Sequence, residues 1–199
     1  MIEPRKQADR SAATRAALIA AARPLFGERG YAGVGTGELA EAAGVTRGAL
    51  YHQFADKREL FAAVFESVEQ DLIERIAKRI AAASPGDPLG ALAEGAEVLI
   101  DAVLEPDFRQ IAALDAPGVL GWEEWRRISE RYGLGLIVAG ITGAIDEGAM
   151  SEQPVAPVAH LLLGALNEGA MYVAVAEDPD RARRETLAAL QTILEALRA

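Results

Sequence analysis

The chain is expected to fold as an all-α protein: an N-terminal three-helix domain with a helix-turn-helix over residues 1–60, and a C-terminal helical domain over residues 61–199. Three observations carry that expectation. Apolar residues recur at i, i+3, i+4 and i+7 along most of the chain. Clusters of Pro and Gly cut the pattern into helix-length pieces. The segment Thr36 to Lys57, TGELAEAAGVTRGALYHQFADK, reads as two short helices joined by a Gly-centred turn, the arrangement that places a helix in the DNA major groove.

Taken in order, residues 11–29 form the first helix, with Leu18, Ala21, Ala22 and Leu25 on one face and a kink expected near Pro24. Residues 38–43 make the second, with Leu39, Ala40 and Ala43 inward. Gly44 supplies the turn, where positive φ costs glycine little. Val45 plugs that turn, and Thr46 is a good N-cap for the third helix. On that helix Leu50 and Phe54 are four apart and share the anchoring face, which leaves Arg47, Tyr51, His52 and Gln53 pointing elsewhere. A long helix follows over residues 56–83, with Phe61, Val64, Phe65, Val68, Leu72, Ile76 and Ile80 as its apolar stripe. Ser84-Pro85-Gly86-Asp87-Pro88 breaks it. Further helices are expected over 88–104, 106–115, 119–147, 155–177 and 179–198, with a turn at Pro117-Gly118.

Segment 155–177 is apolar nearly all round. His160, Asn167 and Glu168 in its middle argue against a membrane span. It reads better as a helix covered on both sides, by its own domain and by another subunit, with Gly164, Ala165 and Gly169 allowing close approach.

Composition sharpens the division. The formal net charge is −10, yet residues 1–60 carry nine Lys/Arg against seven Asp/Glu, leaving −12 for the remainder. That asymmetry runs in the direction DNA binding requires, with few phosphate contacts available. There is no cysteine, so disulfides and thiolate chemistry are excluded. The polar start, MIEPRKQADR, lacks the apolar core of a signal peptide, and a cytoplasmic protein is expected. His52 and His160 lie over a hundred residues apart with no HExxH or carboxylate cluster, so no metal site, catalytic constellation or cofactor is implied.

Gly30-Tyr31, the AGVTRGALYHQF stretch and Asp56, Lys57, Leu60 and Phe61 after it resemble the tetracycline-repressor (TetR) family of bacterial transcription regulators, over about residues 11–65. Gln53 stands where members usually carry His or Tyr, and Val34 replaces a frequent Thr, which leaves Gly35 or Thr36 to cap the second helix. The expected DNA contacts are Thr36, Thr46, Arg47, Tyr51, His52, Gln53 and Lys57. Of these, Arg47 can grip guanine or a phosphate. The resemblance implies that Tyr51 meets backbone or a thymine methyl, and that Lys57 and Thr36 hold phosphate. It also implies a homodimer formed by the last two helices of each subunit, reading double-stranded operator DNA as an inverted repeat.

The second domain is expected to hold a pocket for an unknown small-molecule effector. Phe108, Trp122, Trp125 and Tyr132 are its aromatic candidates, with Trp122 and Trp125 spaced to flank one space. His160, Asn167 and Met171 share a helix face and are the polar and soft candidates. The same spacings equally describe core and interface. A ligand-responsive repressor is the expected function. An activator, a ligand-independent regulator, or a small-molecule-binding protein with a vestigial helix-turn-helix stays open at this point.

Overall fold

A computed structural model of the protein describes residues 4–82 and 86–199, with side chains from residue 8 onward. Among these residues helix is the only extended secondary structure, beside one isolated antiparallel bridge between Met150 and Arg198. The chain forms two compact units.

The first unit holds the residues up to Val68 together with Pro106–Trp122. Its helices are α1 (Pro4–Arg29), α2 (Thr36–Ala42), α3 (Arg47–Gln53) and the opening turns of α4 (Lys57–Ala82). α1 starts earlier than residue 11 and continues through Pro24. It ends where Gly30 takes φ 69° and donates its N–H to the Phe26 carbonyl at 2.9 Å. Leu18, Ala22 and Phe26 of α1, Leu39 of α2, Leu50 of α3 and Phe54 at its C-cap, and Phe61 and Phe65 of α4 are fully buried. Phe26 and Tyr31 each meet the Phe61 ring edge-on, with centroids 5.2 Å apart. Each buried phenylalanine contributes roughly 1.5–3 kcal/mol by removal from water, so this aromatic centre is what three short helices fold around.

Pro106–Trp122 joins this unit although it lies far along the sequence. It comprises α6 (Pro106–Phe108), a π-helical stretch (Arg109–Asp115) and α7 (Ala116–Leu120). Gly27 admits it: a Cβ there would lie 2.7 Å from the Asp107 Cβ. Arg23 Nε donates to the Asp107 carboxylate at 3.3 Å, the Tyr31 N–H to Asp115 at 2.7 Å, and the Arg58 guanidinium to the carbonyls of Val119 and Leu120 at 3.1 and 2.6 Å. A single cut in the chain therefore does not separate the two units. The turn expected at Pro117-Gly118 is instead the first turn of α7, a position that tolerates proline. The break comes at Gly121, with φ 77°.

The second unit comprises Glu69–Glu105 and Glu123–Ala199. It holds the remainder of α4, α5 (Pro88–Ala102), all but the first residue of α8 (Trp122–Ser129), a second π-helical stretch (Glu130–Leu134), α9 (Gly135–Asp146), α10 (Val155–Ala174) and α11 (Pro179–Ala196). The single helix expected over 119–147 is thus several pieces, because Gly121 ends one and the wider π turn interrupts the next. The break expected at Ser84-Pro85 lies outside the described residues. Asp87 and Asp178 cap α5 and α11, accepting from the N–H groups of Gly90 and Arg181 at 3.0 Å each, with Pro in both first turns. Leu89, Ile137, Ile141, Leu162, Leu163 and Leu194 form the centre of the core. Arg183 of α11 pairs with Asp101 of α5 at 2.5 Å.

Helix α10 has two faces. Ala159, Leu162, Leu163, Ala170, Val173 and Ala174 are buried, whereas Pro157, Leu161, Gly164, Glu168, Tyr172 and Val175 form an exposed stripe at i, i+4, i+7, i+11, i+15 and i+18. Gly164 opens onto free space. Gly169 does not: a Cβ there would meet Thr186 of α11 at 2.9 Å, so it serves packing within the unit. Among the described residues no helix is long and apolar enough to cross a membrane.

Candidate functional site

The turn between α2 and α3 is built as its residues require. Gly35, one of the two expected capping residues, is the N-cap of α2 and offers it no side-chain bond. Gly44 takes φ 66°, and its N–H and that of Val45 reach back to the carbonyls of Glu41 and Ala40, both at 2.9 Å. Thr46 then caps α3, its hydroxyl accepting from the Ala49 N–H at 3.1 Å.

With Leu50 and Phe54 anchored inward, Thr46, Arg47, Gly48, Tyr51 and His52 face outward. Three of the expected contact residues meet on this surface. Thr36 Oγ1 lies 3.3 Å from the Tyr51 hydroxyl and 3.4 Å from Arg47 Nη2. The Thr36 bond, followed by the Arg47 bond, pulls the Tyr51 phenol below its ordinary pKa. The first turn of α2 thereby holds two side chains of α3 in register, leaving their outer edges to solvent.

Gln53 and Lys57 are placed differently. The Gln53 carboxamide exchanges hydrogen bonds with the Ser11 hydroxyl (3.0 and 3.2 Å), and the Gln53 backbone carbonyl accepts from Arg15 at 3.1 Å. Arg15 also sits over the Phe54 ring, 4.2 Å from its centroid. Gln53 therefore fastens the end of α3 to α1. Lys57 Nζ donates to the carbonyls of Tyr31 and Val34 at 2.8 and 3.0 Å and stands 4.0 Å above the Tyr31 ring centre. Its charge closes the connection between α1 and α2, a role that the spacing of Lys57 in the sequence does not disclose.

The second unit encloses a cavity of about 230 Å³, open on one side. Its wall comes from α4, α5, α8, the second π stretch, α9, α10 and α11. The lining is aliphatic or glycine at all but three positions, which are Glu69, Ser129 and Asn167. Glycine shapes it: a Cβ on Gly140 would lie 2.7 Å from Leu92 Cδ2, so α5 and α9 approach closely only with glycine there. Glu69 is half-buried, lines this cavity, and makes no hydrogen bond or ion pair with the described residues. Burial alone pushes its carboxyl up to about 7. One signal for it was present in the sequence: Glu69 continues the spacing Phe65, Leu72, Ile76 along the apolar stripe of α4, where a charge is out of place.

Of the residues expected to line a pocket, Asn167 is on this wall and the others are elsewhere. Phe108 ends α6 and is buried in the first unit. Trp122 and Trp125 are both absent from the cavity lining: Trp122, the first residue of α8, is 64% exposed, whereas Trp125 is 5% exposed. His160 Nδ1 lies 3.4 Å from Arg126 and 3.4 Å from Glu130, beside the Arg126–Glu130 ion pair. Tyr132 and Met171 are half-buried away from the cavity. Among the described residues no three or more His, Asp or Glu side chains group in a way that could hold a metal ion.

Residues 18–64 match the family described as bacterial regulatory proteins, tetR family, and residues 89–197 match the tetracyclin repressor-like C-terminal domain. The HTH-type transcriptional regulator AcrR of Shigella flexneri is 40% identical over 90 residues, 45% of this chain and 41% of that protein. The HTH-type transcriptional regulator CymR of Pseudomonas putida is 40% identical over 99 residues, 49% of each. These alignments span less than half the length of either relative. A crystal structure of a TetR-family transcriptional regulator from Pectobacterium atrosepticum superposes with a TM-score of 0.85 at 32% identity, covering 96% of this chain and 97% of that one.

Proposed function

The chain belongs to the TetR family of bacterial transcriptional regulators, and on that premise we propose that it is a ligand-responsive repressor acting as a homodimer on an inverted-repeat operator. The observation that carries the DNA reading is the outward face of α3. Thr46, Arg47, Tyr51 and His52 are exposed together on a short helix whose other face is locked into an aromatic core. Such a helix can enter a major groove as a rigid body, with Arg47 and Tyr51 pre-positioned by Thr36.

The dimer reading is supported by the exposed stripe of α10. Leu161, Tyr172 and Val175 are 74%, 55% and 67% exposed, and Gly164 leaves room for a neighbouring backbone. Apolar side chains exposed along one helix face, here interrupted by Glu168, are costly in water and favour burial against a second copy. A two-fold dimer presents its recognition helices to half-sites roughly 34–36 Å apart, or a larger multiple.

The cavity in the second unit supports the effector reading. A ligand that favours one of two subunit arrangements shifts the equilibrium by its difference in affinity for them, typically about 1–3 kcal/mol. The helix α4, which runs from Lys57 in the first unit into the cavity wall, is the covalent route by which that shift reaches α3. The test is a nuclease footprint of the purified protein on the DNA beside its own gene. A protected palindrome is the expected result; absence of any protected site on that DNA and across a genomic fragment library at low salt would refute the reading.

A further inference from the structure

The cavity carries more information than its presence. An engineered apolar cavity of about 150 Å³ is large enough for benzene, so one of about 230 Å³ suits a single ring with a short side chain or a medium alkyl chain. A purely hydrocarbon occupant would leave the Glu69 carboxyl buried without a partner, which is costly. An anionic occupant would bring a second negative group against it. A cation does the reverse: it turns the unpartnered carboxylate into one half of an ion pair in a setting where water screens little.

Resting on the reading of this unit as the effector-binding part, we propose that the cavity takes a small hydrophobic amine, its ammonium paired with the Glu69 carboxylate and its hydrocarbon body against the aliphatic wall. Leu72, Ile76, Leu92, Leu99 and Leu136 supply that wall, and Ser129 and Asn167 are the other polar side chains on it. Both are neutral, so Glu69 is the one titratable group among the lining residues of all the elements that form the cavity. Its raised pKa in the empty state means that a bound cation must draw the proton off. Affinity therefore rises about tenfold per pH unit up to neutrality and levels off above about pH 7, while the amine itself stays protonated to beyond pH 9. A neutral alcohol needs no such deprotonation, and a carboxamide would accept its hydrogen bond as well as a carboxylate does.

The experiment is calorimetric titration of the full-length protein, freed of any co-purified ligand by denaturation and refolding. The probes are 2-phenylethylamine and the primary n-alkylamines from butyl to decyl, with 2-phenylethanol and 3-phenylpropionate as the matched neutral and anionic compounds. At least one amine is expected to bind with the pH profile above, at least tenfold more tightly than its alcohol, and to lose tenfold or more of its affinity in Glu69→Gln, whose own binding is flat with pH. Circular dichroism confirms that the variant is folded. No amine binding, an alcohol that equals the amine, or amine binding unchanged by Glu69→Gln overturns the proposal. Operator binding is measured alongside. Operator protection without amine binding sinks this proposal alone; amine binding that leaves operator affinity untouched supports the site and refutes the effector reading.

Discussion

The outer face of α3 and the cavity of the second unit are built on opposite plans. On α3 the chemistry is outside: Arg47, Tyr51 and His52 are exposed, and their support is a polar bond to Thr36 and a cap at Thr46. In the cavity the chemistry is inside: one carboxyl, one amide and one hydroxyl stand among aliphatic side chains drawn from many helices. The first plan suits a partner that is always a polyanion, met at a surface where water and salt weaken each contact and several must add up. The second suits a small partner that must be dehydrated, where a single charge is amplified by its surroundings. The same contrast makes α3 a question of geometry and Glu69 a question of electrostatics.

Removing side chains from the α3 face should have the largest effect. Arg47→Ala combined with Tyr51→Ala is expected to lower operator affinity on the order of a hundredfold or more, since each good base or phosphate contact is worth about 1–3 kcal/mol. Gel-shift titration reads the loss, and sedimentation should show the same oligomeric state as the parent. Retained operator affinity would move the reading surface away from α3.

On the cavity side, Glu69→Gln should stabilise the unliganded protein at alkaline pH. The folded-state pKa of about 7 is above the ordinary 4.5, so the folded protein holds an extra proton between those values. Stability present below pH 4.5 is lost as pH rises through 7, by at most about 3 kcal/mol. Melting curves at pH 8 should therefore favour the glutamine variant by several degrees, and curves at pH 4.5 should coincide. A glutamine variant that melts lower at pH 8 would mean that Glu69 has a favourable partner.

The smallest expected effect separates architecture from recognition within the first unit. Thr46→Ala removes the bond to the Ala49 N–H and should cost about 1 kcal/mol of stability in denaturant titration. An unchanged midpoint would show that the N-cap is dispensable and that Thr46 matters only to DNA.

The two regions also differ in how far they can be read from the chain alone. Gly44, Thr46, Leu50 and Phe54 act within a few residues of one another, through backbone sterics, capping and helical spacing, and the turn they form is the expected one. Other outcomes depended on distant neighbours. Gln53 and Lys57 lie within the recognisable motif, yet what they hold is decided by Ser11 on α1 and by the carbonyls of Tyr31 and Val34. Gly169 reads as room for a partner's approach; only packing shows it admitting Thr186, and Gly27 admitting Asp107.

Local preferences sufficed for the helical class and for the helix-turn-helix with Arg47, Tyr51 and His52 outward, whereas the division of α10 into a buried and an exposed face came from packing. The first two follow from periodicity and from conformational preferences that a residue carries wherever it sits. Tertiary structure alone decided that Pro106–Trp122 packs with the first unit, that aliphatic residues rather than the tryptophans wall the cavity, and that Glu69 faces into it unpaired. A cavity is the space left between helices remote in sequence, and the pKa of a carboxyl answers to everything around it, so neither is a property of any stretch of chain.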